Sequence, residues 1–205
     1  MDDLQLNPVY ESVIAGLMEH KYSIADSFFT KEEVLALRES LQRKYEEDAF
    51  KKSAIGNQSK EKVIGEVRGD FILWLDESNV DGAEGTFFSR INDFINYLNR
   101  TCFMGITDKE FHYAVYPEGT FYKRHLDTFQ NDSRRKLSIV CYLNDEDWKP
   151  EYGGELAIYF ENQPPLDIYP LQGRMVIFES QVLEHEVKPV KKKRLSITGW
   201  LKTRA

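Results

Sequence analysis

Apolar residues fall into two regimes along this chain. Up to about residue 105 they recur at helical spacing, and from Glu110 onward they alternate in short runs separated by turn signals. Asn7 followed by Pro8 predicts a helix start, with asparagine as N-cap and proline at the first helical position, leading into VYESVIAGLMEH. Thr30 and Glu33 have capping-box spacing, and Val34, Leu37 and Leu41 then predict a second helix to about residue 52. The polar stretch SAIGNQSKEK, residues 53–62, predicts a loop. A third helix is expected over about 85–100, with Phe87, Phe88, Ile91, Ile95 and Leu98 as its apolar stripe.

The second half reads differently. FHYAVY, TFYKRHL, KLSIVCYL, ELAIYF, RMVIFE, LEHEV and RLSITGWL are aromatic and β-branched, and between them lie PEG, NDS, PEYGG, ENQPP, QGR and VKPVKKK. Short strands at this density predict an antiparallel sandwich or barrel, so the fold class is α+β. No internal repeat and no linker separates the halves. The expectation is one domain over 1–205, with helical support over about 1–105 and a β core over about 106–205.

Composition narrows the function classes. The chain has 205 residues, 41% hydrophobic and 30% charged, which suits a globular domain with a sizeable core. Its formal net charge of −7 leaves no basic footprint for nucleic acid. A protein or small-molecule partner is expected instead. Cys102 and Cys141 sit in apolar stretches without CxxC spacing and predict reduced thiols in a reducing compartment. MDDLQLNPVYE has no signal-peptide character, and no apolar run is long enough to cross a membrane. A cytoplasmic monomer without membrane contacts is the expectation.

Four histidines are candidates for chemistry. His20 falls at the end of the first helix, where a cation suits the helix dipole. His112 alternates with Phe111, Tyr113 and Val115 and is expected to be a strand residue satisfied by its own hydrogen bonds. His125 and Asp127 are two apart, so on a strand they would face one point. Alone, such a pair is more often a charged strand end. His185 follows the apolar run RMVIFES and could join the pair, giving the two histidines and one carboxylate of a facial metal triad. Arg194 follows nine residues later. A facial triad leaves positions for a chelating keto acid such as 2-oxoglutarate, whose distal carboxylate needs a fixed cation. The planar fork of Arg194 suits that task, and the Tyr142 phenol could add a hydrogen bond.

YPEGTFYKRHLD (116–127), LSIVCYLN (137–144), YGGELAIY (152–159), HEVKPVKKKRLSITGW (185–200) and VRGDFILWL (67–75) resemble the Fe(II)- and 2-oxoglutarate-dependent prolyl 4-hydroxylases. The likeness is to the branch acting on hypoxia-inducible factor and its bacterial relatives. It runs from about residue 67 to 200, and the RGD-x-I-x-W stretch and the His185-to-Arg194 spacing are its specific parts. The resemblance implies a double-stranded β-helix (jelly-roll) core with N-terminal supporting helices. It implies that His125, Asp127 and His185 bind Fe(II) and that Arg194 with Tyr142 holds 2-oxoglutarate. Tyr116, Tyr122, Thr198 and Trp200 match the pocket wall around that cosubstrate. Arg68, Asp70 and Trp74 match a substrate-binding loop, and Arg135 a basic position at its rim. O2 is the second cosubstrate and L-ascorbate the expected reductant. The implied reaction is 4-hydroxylation of a prolyl residue in a protein, with succinate and CO2 as co-products and elongation factor Tu as a candidate substrate. TFQNDSRRK, just after Asp127, departs from the family pattern and is expected to face the substrate.

Two other readings use the same residues. One keeps the iron site and oxidises a free amino acid or another small molecule. The other is a non-catalytic binding module of the same fold. The RGD loop favours a peptide over a small molecule, and intact ligands with an intact Arg194 favour turnover over binding alone. A nucleic-acid demethylase fits poorly, because the one basic cluster, KKKR at 191–194, contains Arg194, and its lysines suit a solvated turn.

Overall fold

Asn7 Oδ1 accepts from the Val9 and Tyr10 amides at 3.0 and 3.3 Å, and so starts α1 (Pro8–His20) where the Asn-Pro pair predicts. The computed structural model describes residues 6–53, 67–128 and 134–204. Lys21 closes α1 in the left-handed region at φ 67°, and the chain turns into β1 (Tyr22–Ala25). α2 (Lys31–Glu46) carries the expected capping box: Thr30 Oγ1 accepts from the Glu33 amide, and the Glu33 carboxylate accepts from the Thr30 amide. This helix stops at Glu46, short of the expected 52. Asp48 turns left-handed at φ 54°, and Lys51–Lys52 are recruited as β2, paired with β3 (Phe71–Trp74). α3 (Gly82–Thr101) begins earlier than its apolar stripe suggests. Asp81 is its N-cap and forms a second capping box with Glu84, while also accepting from Ser40 Oγ at 2.5 Å and Arg43 Nη2 at 2.7 Å on α2.

The strands that follow are β4 (Ile106–Tyr116), β5 (Tyr122–His125), β6 (Arg135–Tyr142), β7 (Leu156–Ile158), β8 (Leu166–Ile168), β9 (Met175–Glu179), β10 (His185–Val187) and β11 (Arg194–Thr203). They form a seven-stranded sheet in the order β1-β9-β6-β11-β4-β3-β2 and a four-stranded sheet in the order β5-β10-β7-β8. All their pairings are antiparallel. This is the expected jelly-roll of two facing sheets, braced by helices. β1, β2, β3 and β8 add short strands that the pattern of runs did not announce. Most of the predicted 53–62 loop, and residues 129–133 of TFQNDSRRK, lie outside the described residues.

The period-two alternation of the large sheet separates two environments. Phe111, Tyr113 and Val115 on β4, Leu137, Ile139 and Cys141 on β6, and Leu195, Ile197 and Leu201 on β11 share one core with Val13, Leu37, Leu41, Phe87, Ile91 and Phe94 of the helices. The opposite parity faces the small sheet. There Val140, Tyr142, Val176 and Phe178 pack on Leu156, Ile158 and Ile168, while Ala114 and Tyr116 pack on Val187 and Val190. The site lies in the gap between these sheets. Cys141 is buried in β6, where burial pushes its thiol up to about 12, and Cys102 is half-buried; both are free. No helix among the described residues is long and apolar enough to cross a membrane.

One glycine sets the closeness of β11 to β4. A Cβ at Gly199 would stand 2.2 Å from the Glu110 carbonyl oxygen and 2.2 Å from the Phe111 ring. Neither the backbone nor the buried ring can yield without parting the strands. Gly199→Ala is therefore expected to destabilise the fold by about 1–3 kcal/mol or more, the range for overpacking a core, as read by urea unfolding.

Candidate active site

His125 and His185 are direct cross-strand partners on β5 and β10, so pairing of two strands places their rings side by side, with centroids 4.3 Å apart. Each ring is held by a backbone carbonyl two residues earlier. His125 Nδ1 lies 2.7 Å from the Lys123 oxygen and His185 Nδ1 3.1 Å from the Leu183 oxygen. Nδ1–H donation to those carbonyls turns both Nε2 atoms inward. Asp127 completes the group, with Oδ1 3.4 Å from His125 Nε2 and Oδ2 3.4 Å from His185 Nε2. β5 ends at His125, so a bend after the strand, rather than strand alternation, aims Asp127 at the same point. Ser138 Oγ donates to Asp127 Oδ2 at 2.7 Å and lies 2.9 Å from Ser180 Oγ. Against the effect of burial, the Asp127 pKa is held far below the carboxylate range, with the Ser138 hydroxyl among its donors. Burial lowers His185 to about 4, so its imidazole is neutral at physiological pH. One ligand atom from each residue lies within 4.8 Å of the others. Two imidazoles and one carboxylate form a donor set that could hold a divalent transition metal on one face.

A buried cation stands further along the same gap. Arg194, 1% exposed, donates from Nε to the Gly154 carbonyl at 3.0 Å and from Nη1 to Ser196 Oγ at 3.4 Å. Its guanidinium lies 5.0 Å from the Tyr116 ring and 4.9 Å from the Tyr142 ring. No carboxylate pairs with it among the described residues. The Tyr142 hydroxyl beside it is buried and lacks a hydrogen-bond partner among the described residues. An uncompensated buried charge costs several kcal/mol, so this corner suits an anion from outside the chain. The Gly153-Gly154 turn makes the corner possible. Both residues have positive φ, 65° and 73°, and a Cβ on Gly154 would meet Arg194 Cδ at 3.0 Å.

The metal-ligand cluster and Arg194 line one cleft of about 580 Å³, together with Arg68, Trp74, His112, Tyr116, Tyr122, Arg135, Thr198 and Trp200. Its mouth is basic and aromatic. Arg68 donates to both oxygens of Asp70, at 2.8 and 2.6 Å, and Ser53 Oγ adds a bond of 2.5 Å. Burial would raise the Asp70 pKa, but Arg68 and Ser53 keep it low. The Arg68 guanidinium lies 4.3 Å from the Tyr122 ring, and Tyr122 stacks on His125 at 3.7 Å. Arg135 pairs with Glu110 at 2.6 Å and stacks over Trp200 at 3.5 Å.

The sequence pattern of the 2OG-Fe(II) oxygenase superfamily matches residues 111–202, the segment holding the ligand cluster and Arg194. The Pseudomonas putida prolyl-4-hydroxylase structure superposes with a TM-score of 0.86 at 34% identity, covering 96% of this chain and all of that one. The chain belongs to the 2OG-Fe(II) oxygenase superfamily. A prolyl hydroxylase from Trichoplax adhaerens, solved with a hypoxia-inducible factor peptide, matches this oxygenase with a TM-score of 0.84 at 25% identity, over 94% of this chain and 88% of that one. The Caenorhabditis elegans hypoxia-inducible factor prolyl hydroxylase is 29% identical over 217 residues; the oxygenase chain spans 28% of that relative's length.

Of the residues singled out in the sequence, His125, Asp127, His185, Arg194, Tyr116, Tyr122, Thr198, Trp200, Arg68, Trp74 and Arg135 all line the cleft. Tyr142 stands behind it against Arg194, and Asp70 is fully buried with both oxygens engaged. His112 overturns its expected role. Its side chain makes no hydrogen bond among the described residues, where its Nδ1 is buried without a partner. Its strand parity is that of Ala114 and Tyr116, so it points into the cleft, between Trp74 and Trp200, whose rings offer no acceptor in its plane. Ser138 was also missed, although in KLSIVCYL it shares the parity of Val140 and Tyr142. His125→Ala, Asp127→Ala and His185→Ala are each expected to weaken Mn(II) binding by at least tenfold in calorimetry while the thermal midpoint persists; unchanged affinity in any one would remove that residue from the ligand set.

Proposed function

We propose that this oxygenase 4-hydroxylates a prolyl residue of a protein substrate, with elongation factor Tu as the candidate. The observation that carries the reading is the full-length match to the Pseudomonas putida prolyl-4-hydroxylase, joined to a cleft whose ligand cluster and unpaired buried Arg194 fit both partners of the chemistry. His125, Asp127 and His185 hold Fe(II). Arg194 and Tyr142 take the distal carboxylate of 2-oxoglutarate, the one supplying charge and the other a hydroxyl with no hydrogen-bond partner among the described residues. Bound together, Fe(II), 2-oxoglutarate and O2 supply the oxidation, with succinate and CO2 as co-products and L-ascorbate maintaining the ferrous state.

The protein's own residues set the conditions for that chemistry. Lys123 and Leu183 carbonyls fix the histidine tautomers, and Ser138 donates a hydrogen bond to the Asp127 carboxylate. Tyr116, Thr198 and Trp200 wall the reactants from water. Trp74, half exposed at the mouth, with Arg68 and Arg135 beside it, gives an extended peptide both apolar surface and hydrogen-bond donors. Asp70 acts through Arg68, whose guanidinium it fixes at 2.6 Å.

Arg194→Ala is expected to raise the 2-oxoglutarate requirement for succinate release roughly ten- to hundredfold, the size of a lost hydrogen bond to a charged group. Full activity at limiting 2-oxoglutarate would place the anchor elsewhere. For the substrate, purified elongation factor Tu and a whole-cell lysate are each incubated with the enzyme, Fe(II) and 2-oxoglutarate, then analysed by mass spectrometry. One added oxygen on a proline supports the reading. Oxidised free amino acids without any modified protein would point to a small-molecule oxygenase.

A further inference from the structure

Position in the sheet register locates His112 relative to both ends of the site. On the cleft face, β11 presents Arg194, Ser196, Thr198 and Trp200 in successive rows. Ser196 pairs with Tyr142, Thr198 with His112 and Val140, and Trp200 with Ser138. The Arg194 guanidinium folds over the Ser196 row, as its 3.4 Å contact to Ser196 Oγ requires. Asp127 is tied to the Ser138 row by the 2.7 Å hydrogen bond. The Thr198–His112 row therefore lies between the anion anchor and the metal-ligand cluster. Rows are separated by about 6.6 Å, twice the strand rise. The five-carbon chain of 2-oxoglutarate, with C–C bonds of about 1.5 Å, spans roughly 5 Å between carboxyl carbons. A molecule seated on Arg194 and reaching toward the cluster thus places its keto-acid end over the His112 row.

We infer that His112 is a cosubstrate-binding residue, donating its Nδ1–H to the keto-acid carboxylate of 2-oxoglutarate. His112 is buried, 3% exposed, its Nδ1 has no competing partner among the described residues, and its ring is clamped between Trp74 at 4.8 Å and Trp200 at 5.6 Å between ring centroids. Burial and the charges of Arg68 and Arg135 push its pKa down to about 3, so the ring is neutral and carries a single N–H for donation. The inference rests on the reading of the cleft as a 2-oxoglutarate site. It is independent of which protein is hydroxylated.

The test is anaerobic calorimetry of 2-oxoglutarate binding to the Mn(II)-loaded enzyme, comparing wild type, His112→Leu and His112→Asn. Leucine fills the space between the indoles without a donor, and asparagine returns an amide N–H at about the position of Nδ1. The expected result is a loss of roughly tenfold or more in 2-oxoglutarate affinity for His112→Leu, recovered in large part by His112→Asn. Mn(II) affinity without cosubstrate and the thermal midpoint stay at wild-type values in both. Wild-type 2-oxoglutarate affinity in His112→Leu would overturn the inference and turn His112 toward the substrate. Equal losses in both variants would also overturn it, making the effect one of packing. Absence of 2-oxoglutarate binding by the wild type would overturn the site reading itself, whereas failure to find a modified proline would leave this contact standing.

Discussion

Strand β11 has to satisfy two neighbours with opposite demands, and its register is the constraint on which the site depends. Leu195, Ile197 and Leu201 enter the helix-covered core, while Arg194, Ser196, Thr198 and Trp200 face the small sheet. A slip of one residue against β4 or β6 would bury the apolar set in the polar cleft and drive a guanidinium into the core. Gly199 removes the side chain that would otherwise hold β4 away. The same pairing sets Tyr116 beside Arg194 and His112 beside Thr198. Core packing thereby fixes the spacing of the chemical groups without any of them having to contribute to stability.

Charge inside the gap is handled in two ways. Arg68 and Asp70 neutralise each other at the mouth, and Arg135 pairs with Glu110, so both arginines are held in place before any ligand arrives. Arg194 is different: among the described residues it donates only to neutral oxygens, with two aromatic faces nearby. Its desolvation is offset only in part by those contacts, and a carboxylate arriving there recovers what water no longer supplies. The ligand cluster shows the complementary case. Asp127 is a buried anion that accepts from the Ser138 hydroxyl and faces the inward ring nitrogens of both histidines, an arrangement that a cation at the centre would stabilise.

Much of this was legible in the sequence, for identifiable reasons. Local chemistry announced itself: Asn7-Pro8 and the Thr30–Glu33 box mark helix starts that depend on neighbours only a few residues away. His125, Asp127, His185 and Arg194 stood out because their spacing has a chemical use. The far end of α2 did not, since Lys51–Lys52 are drawn into a strand by Phe71–Ile72, a partner remote in sequence. Asp81 was passed over because the apolar stripe of α3 starts after its cap. β1 and β8 are short and acquire strand character from the strands they join. For His112 the alternation was read with the right parity, opposite to Phe111 and Tyr113, but parity cannot say that the opposite face borders a cleft rather than a second core.

A His-Asp-His cluster able to hold a metal and the buried Arg194 guanidinium share one cleft. The most direct measurement is a crystal structure of the enzyme with Mn(II) and 2-oxoglutarate. The expected result is metal bound by Nε2 of His125 and His185 and by Asp127, with the distal carboxylate of 2-oxoglutarate on Arg194 and the Tyr142 hydroxyl. Metal bound elsewhere, or a 2-oxoglutarate whose distal carboxylate leaves Arg194 unpaired, would contradict it.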